Sequence, residues 1–311
     1  MSPGSGHDGR AGPPTWTRRR LLGSGLGGVL CAGLAGFELV DHGILPGKQE
    51  LDRLDGACSV ATPAETLGPV GPSRSGSFFS QARNRAVGYT IAYPPGHRPG
   101  SLLPLVIGLH GYLGNHTSVL GEVTPAQALA ERPGGRPLPP MALVSADGGV
   151  GYWNAHPGDD PMAMLVDELI PMARRLGLGR APRTIGTIGI SMGGYGSLLL
   201  AEKRPDLIAG AAAISPAVWT SYAQAHAANA GAFASAAAFA QDDVVTHAAA
   251  LGRTPVRVAS GVDDPFHPGV QALAQALPAS AVVDITPGCH DASFFASQRT
   301  ASLEFLGRRL A

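Results

Sequence analysis

Short apolar runs alternate with helix-like segments along most of this chain, and this alternation limits the folds open to it. The predicted strands are nearly continuous apolar runs, which is typical of strands buried on both faces of a sheet: Val87–Tyr93, Leu103–Leu109, Met141–Ala146, Thr184–Ile190, Ile208–Ile214, Val256–Ser260 and Val282–Thr286. Helical spacing predicts helices over Met162–Leu176, Gly193–Lys203, Val270–Leu277 and Ala292–Leu310. The pattern therefore predicts an α/β fold, with a mostly parallel central sheet flanked by helices.

One stretch interrupts this pattern. Residues 217–251 are rich in alanine and contain no strand-like run. We expect a helical insertion here. It could form a lid over the carboxyl edge of the sheet or simply add helices to the surface, and the sequence leaves both open.

The charge balance excludes some classes of protein. The 311 residues carry 23 basic and 23 acidic side chains, which gives a net charge of zero, and 44% of residues are apolar. Such a chain has enough apolar side chains to form a core, so it is not a disordered charged tail. A neutral balance also lacks the basic surface that nucleic-acid binding requires, so no nucleic-acid partner is expected.

The N-terminus has the features of an export signal. Arg18-Arg19-Arg20 precedes an uncharged apolar stretch, Leu21–Phe37, as in twin-arginine signals. Cleavage of this segment and its retention as a membrane anchor both remain open, because the stretch is close to the length that spans a bilayer. We therefore divide the chain into a disordered N-terminus followed by the signal or anchor (1–37), an N-terminal arm (38–76) and a catalytic domain (77–311).

A glycine-flanked serine lies between a predicted strand and a predicted helix. The segment is Gly189-Ile190-Ser191-Met192-Gly193-Gly194. Glycines here permit a tight strand-to-helix turn that exposes the serine hydroxyl, and the helix N-terminus offers free N–H groups to a developing negative charge. Ser191 is therefore the predicted nucleophile.

A serine nucleophile needs a base that is oriented by an acid, and in this architecture they follow in the order Ser, Asp, His. His290 follows the last predicted strand and is the predicted base. Asp263 and Asp264 follow the strand before it, and spacing does not decide which is the acid. A metal site formed with His267 is disfavoured because no second ligand cluster exists in the sequence, and no cofactor motif is present.

An oxyanion hole requires a second backbone N–H from the loop after an early buried strand. Leu109-His110-Gly111-Tyr112 occupies that place. The N–H groups of Met192 and Tyr112 are the predicted donors. His110 lies at the base of this loop. Its side chain has either a structural role there or a place in the substrate cleft, and the sequence leaves both open.

Together these segments resemble the esterase D group of α/β-hydrolases, which includes S-formylglutathione hydrolases, feruloyl-type esterases and mycolyltransferases. The nearest overall match is to secreted actinobacterial esterases. The resemblance covers about residues 77–310 and implies an α/β-hydrolase fold. It also implies that Asp264 is the acid, because the family's acid lies three residues after the glycine of the loop. Tyr152 and Trp153 resemble the rim of the substrate cleft in such esterases, although an ordinary loop fits as well.

Two cysteines, Cys58 and Cys289, lie in the part of the chain expected to be exported. An oxidising compartment favours a disulfide between them, whereas two separate buried thiols are the alternative.

The predicted function is that of an exported serine esterase acting on a small-molecule, lipid or glycan ester, with membrane attachment possible through the N-terminal segment. Two alternatives remain. The same acyl-enzyme could pass its acyl group to an envelope alcohol, which would make the protein a mycolyltransferase-like acyltransferase. The chain could also be a non-catalytic binding protein on a hydrolase fold.

Overall fold

Eight strands form a single sheet in the computed structural model, which describes residues 70–124, 138–182 and 185–310. The strands are β1 Ser73–Ser80, β2 Arg85–Ala92, β3 Leu105–Leu109, β4 Ala142–Ala146, β5 Ile185–Ile190, β6 Gly210–Ile214, β7 Val256–Gly261 and β8 Val282–Thr286. Their order across the sheet is β1-β2-β4-β3-β5-β6-β7-β8.

Strand direction places the site. β2 is antiparallel to both β1 and β4, and all other neighbouring strands are parallel. The loops that leave β3 to β8 therefore meet at one edge of the sheet, where ligands bind in open α/β sheets. This topology confirms the predicted α/β-hydrolase fold with its mostly parallel sheet.

The helices cover this sheet. They are α1 Ser118–Val123; α2, which is α-helical over Pro161–Ala163, π-helical over Met164–Leu169 and α-helical again over Ile170–Arg175; α3 Met192–Lys203; α4 Tyr222–Ala228; α5 Ala236–Gln241; α6 His267–Ala276; and α7 Ala292–Leu310. A 3₁₀ helix, Ala248–Arg253, precedes β7. Within the described ranges no helix combines the length and the apolar character needed to cross a bilayer.

Alternate residues of the central strands pack against different helices. In β3, Leu105, Ile107 and Leu109 belong to the larger apolar cluster, which contains the buried side chains of α2 and α3. Val106 belongs to a second cluster formed with α1 and α7. Both faces are thus buried, and the strands need apolar side chains at every position, as the sequence showed.

Strand β1 was not predicted. Its sequence, SRSGSFFS, is polar, and most of its residues are exposed or half-buried. It pairs with β2 along its whole length at the edge of the sheet, so backbone hydrogen bonds hold it, and Phe78 adds a partly buried contact with the larger apolar cluster. The boundary predicted at residue 76 falls inside this strand. The export segment, and the N-terminal arm as far as residue 69, lie outside the described residues.

The predicted insertion is helical and attached by aromatic side chains. Phe233 packs against Tyr195 of α3, with ring centroids 5.8 Å apart, and against Phe239 of α5 at 5.0 Å. The Tyr195 hydroxyl donates a hydrogen bond to the carbonyl oxygen of Asp242 over 2.8 Å. These contacts fasten the insertion to the helix that follows Ser191.

Candidate active site

Ser191 occupies a strained turn between β5 and α3. Its backbone has φ 56° and ψ −120°, a conformation that L-residues rarely adopt and that is common at functional sites. Two glycines make the turn possible: a Cβ at Gly189 would overlap the backbone of Gly193, and a Cβ at Gly193 would overlap the carbonyl oxygen of Leu109. The predicted elbow is therefore present, with the serine at the carboxyl edge of the sheet.

Three side chains form a continuous hydrogen-bonded chain at this edge. The Nδ1 atom of His290 lies 2.9 Å from Oδ2 of Asp264, and its Nε2 atom lies 2.8 Å from Oγ of Ser191. A carboxylate only accepts hydrogen bonds, so Nδ1 carries the proton and Nε2 accepts from the serine hydroxyl. The structure brings together the three residues that the sequence singled out for catalysis.

The two candidate acids occupy different environments. The side chain of Asp264 is fully buried, and its second oxygen, Oδ1, accepts the N–H of Phe266 at 2.8 Å. Asp263 is exposed, and its N–H donates to the carbonyl oxygen of Gly288. Only Asp264 contacts the imidazole, in agreement with the choice that the family resemblance implied and spacing had left open.

The predicted oxyanion donors belong to two segments that meet at Ser191. Met192 begins α3, so its N–H has no intrahelical acceptor. A Cβ at Gly111 would lie 3.6 Å from Cβ of Ser191, which places the loop carrying Tyr112 next to the nucleophile. This arrangement suits the stabilisation of a tetrahedral oxyanion.

His110 does not line the cleft, so the structure favours the structural role of the two that the sequence left open. Its side chain is fully buried, its Nε2 accepts the N–H of Gly148 at 2.8 Å, and its Nδ1 donates to the carbonyl oxygen of Gly111 at 2.8 Å. Burial lowers its pKa, which favours the neutral ring that this bonding pattern needs. His110 thus supports the loop after β3 from beneath.

Trp153 and Tyr152 are also buried, so the prediction that they form the cleft rim was wrong. Trp153 has no exposed area, packs at a tilt against the His110 ring with centroids 5.0 Å apart and donates its indole N–H to the His110 carbonyl oxygen. Tyr152 packs against Trp219 and Phe233 of the insertion, and burial raises its pKa. Both residues have positive φ. The sequence pattern of aromatic residues in a loop did not show whether they lie at the rim of the cleft or are buried beneath it.

Other aromatic side chains border the imidazole instead. The rings of Phe266 and Phe295 each lie 5.1 Å from that of His290, and Trp219 packs on Phe266 at 5.5 Å. All three are partly exposed. Sequence reasoning assigned them no role, although Phe266 lies two residues after Asp264 and Phe295 lies five residues after His290.

Cys289, beside His290, is fully buried. Its predicted partner, Cys58, lies outside the described residues, so the disulfide stays a prediction.

An eight-stranded sheet with a strained serine elbow and a Ser–His–Asp chain at its carboxyl edge defines the α/β-hydrolase class of serine hydrolases. The Esterase family model, described as "Putative esterase", matches residues 80–277. The chain belongs to this family and is a serine hydrolase.

Solved structures share this fold. A ferulic acid esterase aligns with 77% of this chain and 99% of its own, at 17% identity and a TM-score of 0.61. The S-formylglutathione hydrolase from Agrobacterium tumefaciens aligns with 81% of this chain and 100% of its own, at 17% identity and a TM-score of 0.63. MPT51 (FbpC1) from Mycobacterium tuberculosis aligns with 81% of this chain and 100% of its own, at 15% identity and a TM-score of 0.57. Among curated proteins, no sequence matches this chain.

Proposed function

We propose that this protein hydrolyses carboxylic esters through an acyl-enzyme formed on Ser191. The observation that carries the proposal is the unbroken chain of hydrogen bonds from Ser191 through His290 to Asp264. Membership of an esterase family supports the same type of reaction.

The first half of the reaction forms the acyl-enzyme. His290 Nε2 takes the hydroxyl proton as Ser191 Oγ attacks the ester carbonyl carbon. The N–H groups of Met192 and Tyr112 stabilise the oxyanion, and buried Asp264 orients and stabilises the imidazolium. The proton on Nε2 then passes to the alcohol oxygen, and the bond between that oxygen and the acyl carbon breaks.

The second half regenerates the enzyme. A water molecule gives a proton to His290 as its oxygen attacks the acyl carbon, and the bond to Ser191 Oγ breaks with return of the proton to the serine. An alcohol in place of water would transfer the acyl group by the same steps. Adding a sugar or lipid alcohol to the assay tests for that alternative.

The experiment compares wild type with Ser191→Ala, using a fluorescent fluorophosphonate and p-nitrophenyl esters. We expect wild type to be labelled and to turn over ester, and Ser191→Ala to do neither while remaining folded. Ser101→Ala, a serine that precedes β3 at the opposite edge, is the matched control and should behave as wild type. A folded wild type that is not labelled would instead favour a non-catalytic binding protein.

Export and membrane attachment rest on the sequence alone. We propose that Arg18–Arg20 and the apolar segment after them direct the protein out of the cytoplasm, and that the pairing of Cys58 with Cys289 forms there. Thiol alkylation of the protein recovered from the envelope, before and after reduction, tests that pairing.

A further inference from the structure

The described loops around the candidate active site contain no lysine or arginine. These loops follow β3, β4, β6, β7 and β8 and comprise residues 110–117, 147–160, 215–221, 262–266 and 287–291. The guanidinium group of Arg83 reaches this edge but is nearly buried and paired with Asp159. The guanidinium group of Arg299, which lies two turns into α7, donates a hydrogen bond to the carbonyl oxygen of Glu122. Arg85 is also paired with Asp159, so each described arginine that reaches these loops is already bonded to a carboxylate or a carbonyl oxygen.

Most of the acidic groups in these loops are already engaged. Asp147 accepts the backbone N–H groups of Gly88 and His116, and Asp159 pairs with arginine. Asp160 caps α2 and Asp291 accepts the N–H of Phe294.

Asp263 differs from these acids. Its side chain is exposed, and no cation pairs with it among the described residues. It directly precedes Asp264, so the loop that carries the candidate acid also carries an exposed carboxylate.

Exposed apolar side chains also lie in these loops, together with the polar Asn115, Thr117 and Thr220. Leu113 is 78% exposed and follows Tyr112, which is itself half exposed. Val262 precedes Asp263 and is 44% exposed. With Phe266 and Phe295 beside the imidazole, the described loops around the site combine exposed apolar side chains with several carboxylates and carry no lysine or arginine.

We propose that this site selects esters that are uncharged or cationic near the scissile bond and rejects anionic ones. This inference rests on the proposed esterase function and names its substrate class. A carboxylate or phosphate on the substrate would lose water against apolar side chains, would find no cation in the described loops, and would be repelled by Asp263. Selectivity thus comes from a repulsive group as well as from the apolar surface.

A matched pair of substrates tests the proposal. p-Nitrophenyl hydrogen adipate carries a terminal carboxylate, and its methyl ester is neutral with the same acyl chain. We expect kcat/KM of the wild type to favour the neutral ester by about tenfold or more at low ionic strength, and the ratio to shrink as salt is added.

Two substitutions locate the cause. Asp263→Asn should lower the neutral-to-anionic ratio by roughly threefold or more by removing the repulsion. Leu113→Arg should lower it further by supplying a cation. Leu102→Arg is the control, because Leu102 is 75% exposed but precedes β3, whereas Leu113 follows it, so the two lie at opposite ends of that strand. It should leave the ratio unchanged.

Equal kcat/KM for the two esters in wild type would overturn the proposal, as would a ratio that neither Asp263→Asn nor Leu113→Arg changes. These outcomes differ from failure of the esterase function itself. In that case neither ester is turned over and the fluorophosphonate does not label Ser191.

Discussion

Gly261 and Gly288 are in direct backbone contact, since a Cβ at Gly261 would overlap the carbonyl oxygen of Gly288. Gly261 ends β7, just before the loop that carries Asp264. Gly288 lies two residues before His290. The N–H of Asp263 also donates to the Gly288 carbonyl oxygen over 3.0 Å. This contact fixes the separation of the two loops and hence the bond between Asp264 and His290.

Gly261→Ala should therefore separate the acid from the base. A methyl group in this contact must displace one loop, and a shift of about 1 Å in a catalytic group can cost about 10²-fold in rate. We expect a loss of that order in kcat for ester hydrolysis. The control is Gly252→Ala, where a Cβ would meet its nearest neighbour at 3.8 Å, an ordinary contact. Similar activity of the two variants would contradict the positioning role.

Asp264 and Asp263 should respond differently to the same substitution. Asp264→Asn places an amide against His290 Nδ1 and favours the wrong tautomer, which in serine hydrolases costs about 10⁴-fold in kcat. Asp263→Asn should retain most of the kcat on a neutral ester, because its side chain does not contact the imidazole. Steady-state kinetics on p-nitrophenyl butyrate measures both. An inactive Asp263→Asn together with an active Asp264→Asn would reverse the assignment.

Trp153→Phe should affect stability rather than substrate binding. The substitution removes the indole hydrogen bond to His110 and leaves unfilled volume in the core, which together cost about 1–3 kcal/mol of unfolding free energy. Urea unfolding measures this loss, and KM should change little. Trp219→Phe is the comparison, because Trp219 is partly exposed beside Phe266. A large KM change in Trp153→Phe alone would restore it to the cleft.

His110 should make stability depend on pH. Burial lowers its pKa below the ordinary value of 6.5, so as pH falls through 6.5 the unfolded chain takes up a proton that native His110 resists. The contribution of His110 is thus complete above pH 6.5 and decreases in more acidic solution. The free energy of unfolding, measured with urea at about pH 8 and about pH 5, should decrease less on acidification for His110→Gln than for wild type. Equal losses would mean that His110 does not contribute to this dependence.

Arg18→Lys combined with Arg19→Lys should retain the protein in the cytoplasm if the N-terminal signal is of the twin-arginine type. Fractionation of a host that expresses the full chain, followed by immunoblotting, gives the distribution. Arg308→Lys, a conservative change in α7, is the control. Wild type found only in the cytoplasm would refute the proposed export.

Local sequence patterns were sufficient to predict the central strands and most of the helices. The strands of the sheet interior need apolar side chains on both faces, and such runs are legible without tertiary information. Ser191 was equally legible, because the glycines around it are required by the turn itself. Strand β1 was not, because an edge strand held by pairing to β2 has no apolar pattern of its own.

The sequence by itself predicted the class of fold and the candidate nucleophile and base, since each prediction depends on residues close together in the chain. Only the tertiary structure decided between Asp263 and Asp264. The two residues are adjacent, but only the side chain of Asp264 bonds to His290, which lies 26 residues further along the chain. It also decided that His110, Tyr152 and Trp153 support the site from within the core, since burial depends on what packs over a loop. The combination of exposed apolar side chains and carboxylates without lysine or arginine emerges only when five separate loops of the described chain meet at one edge of the sheet.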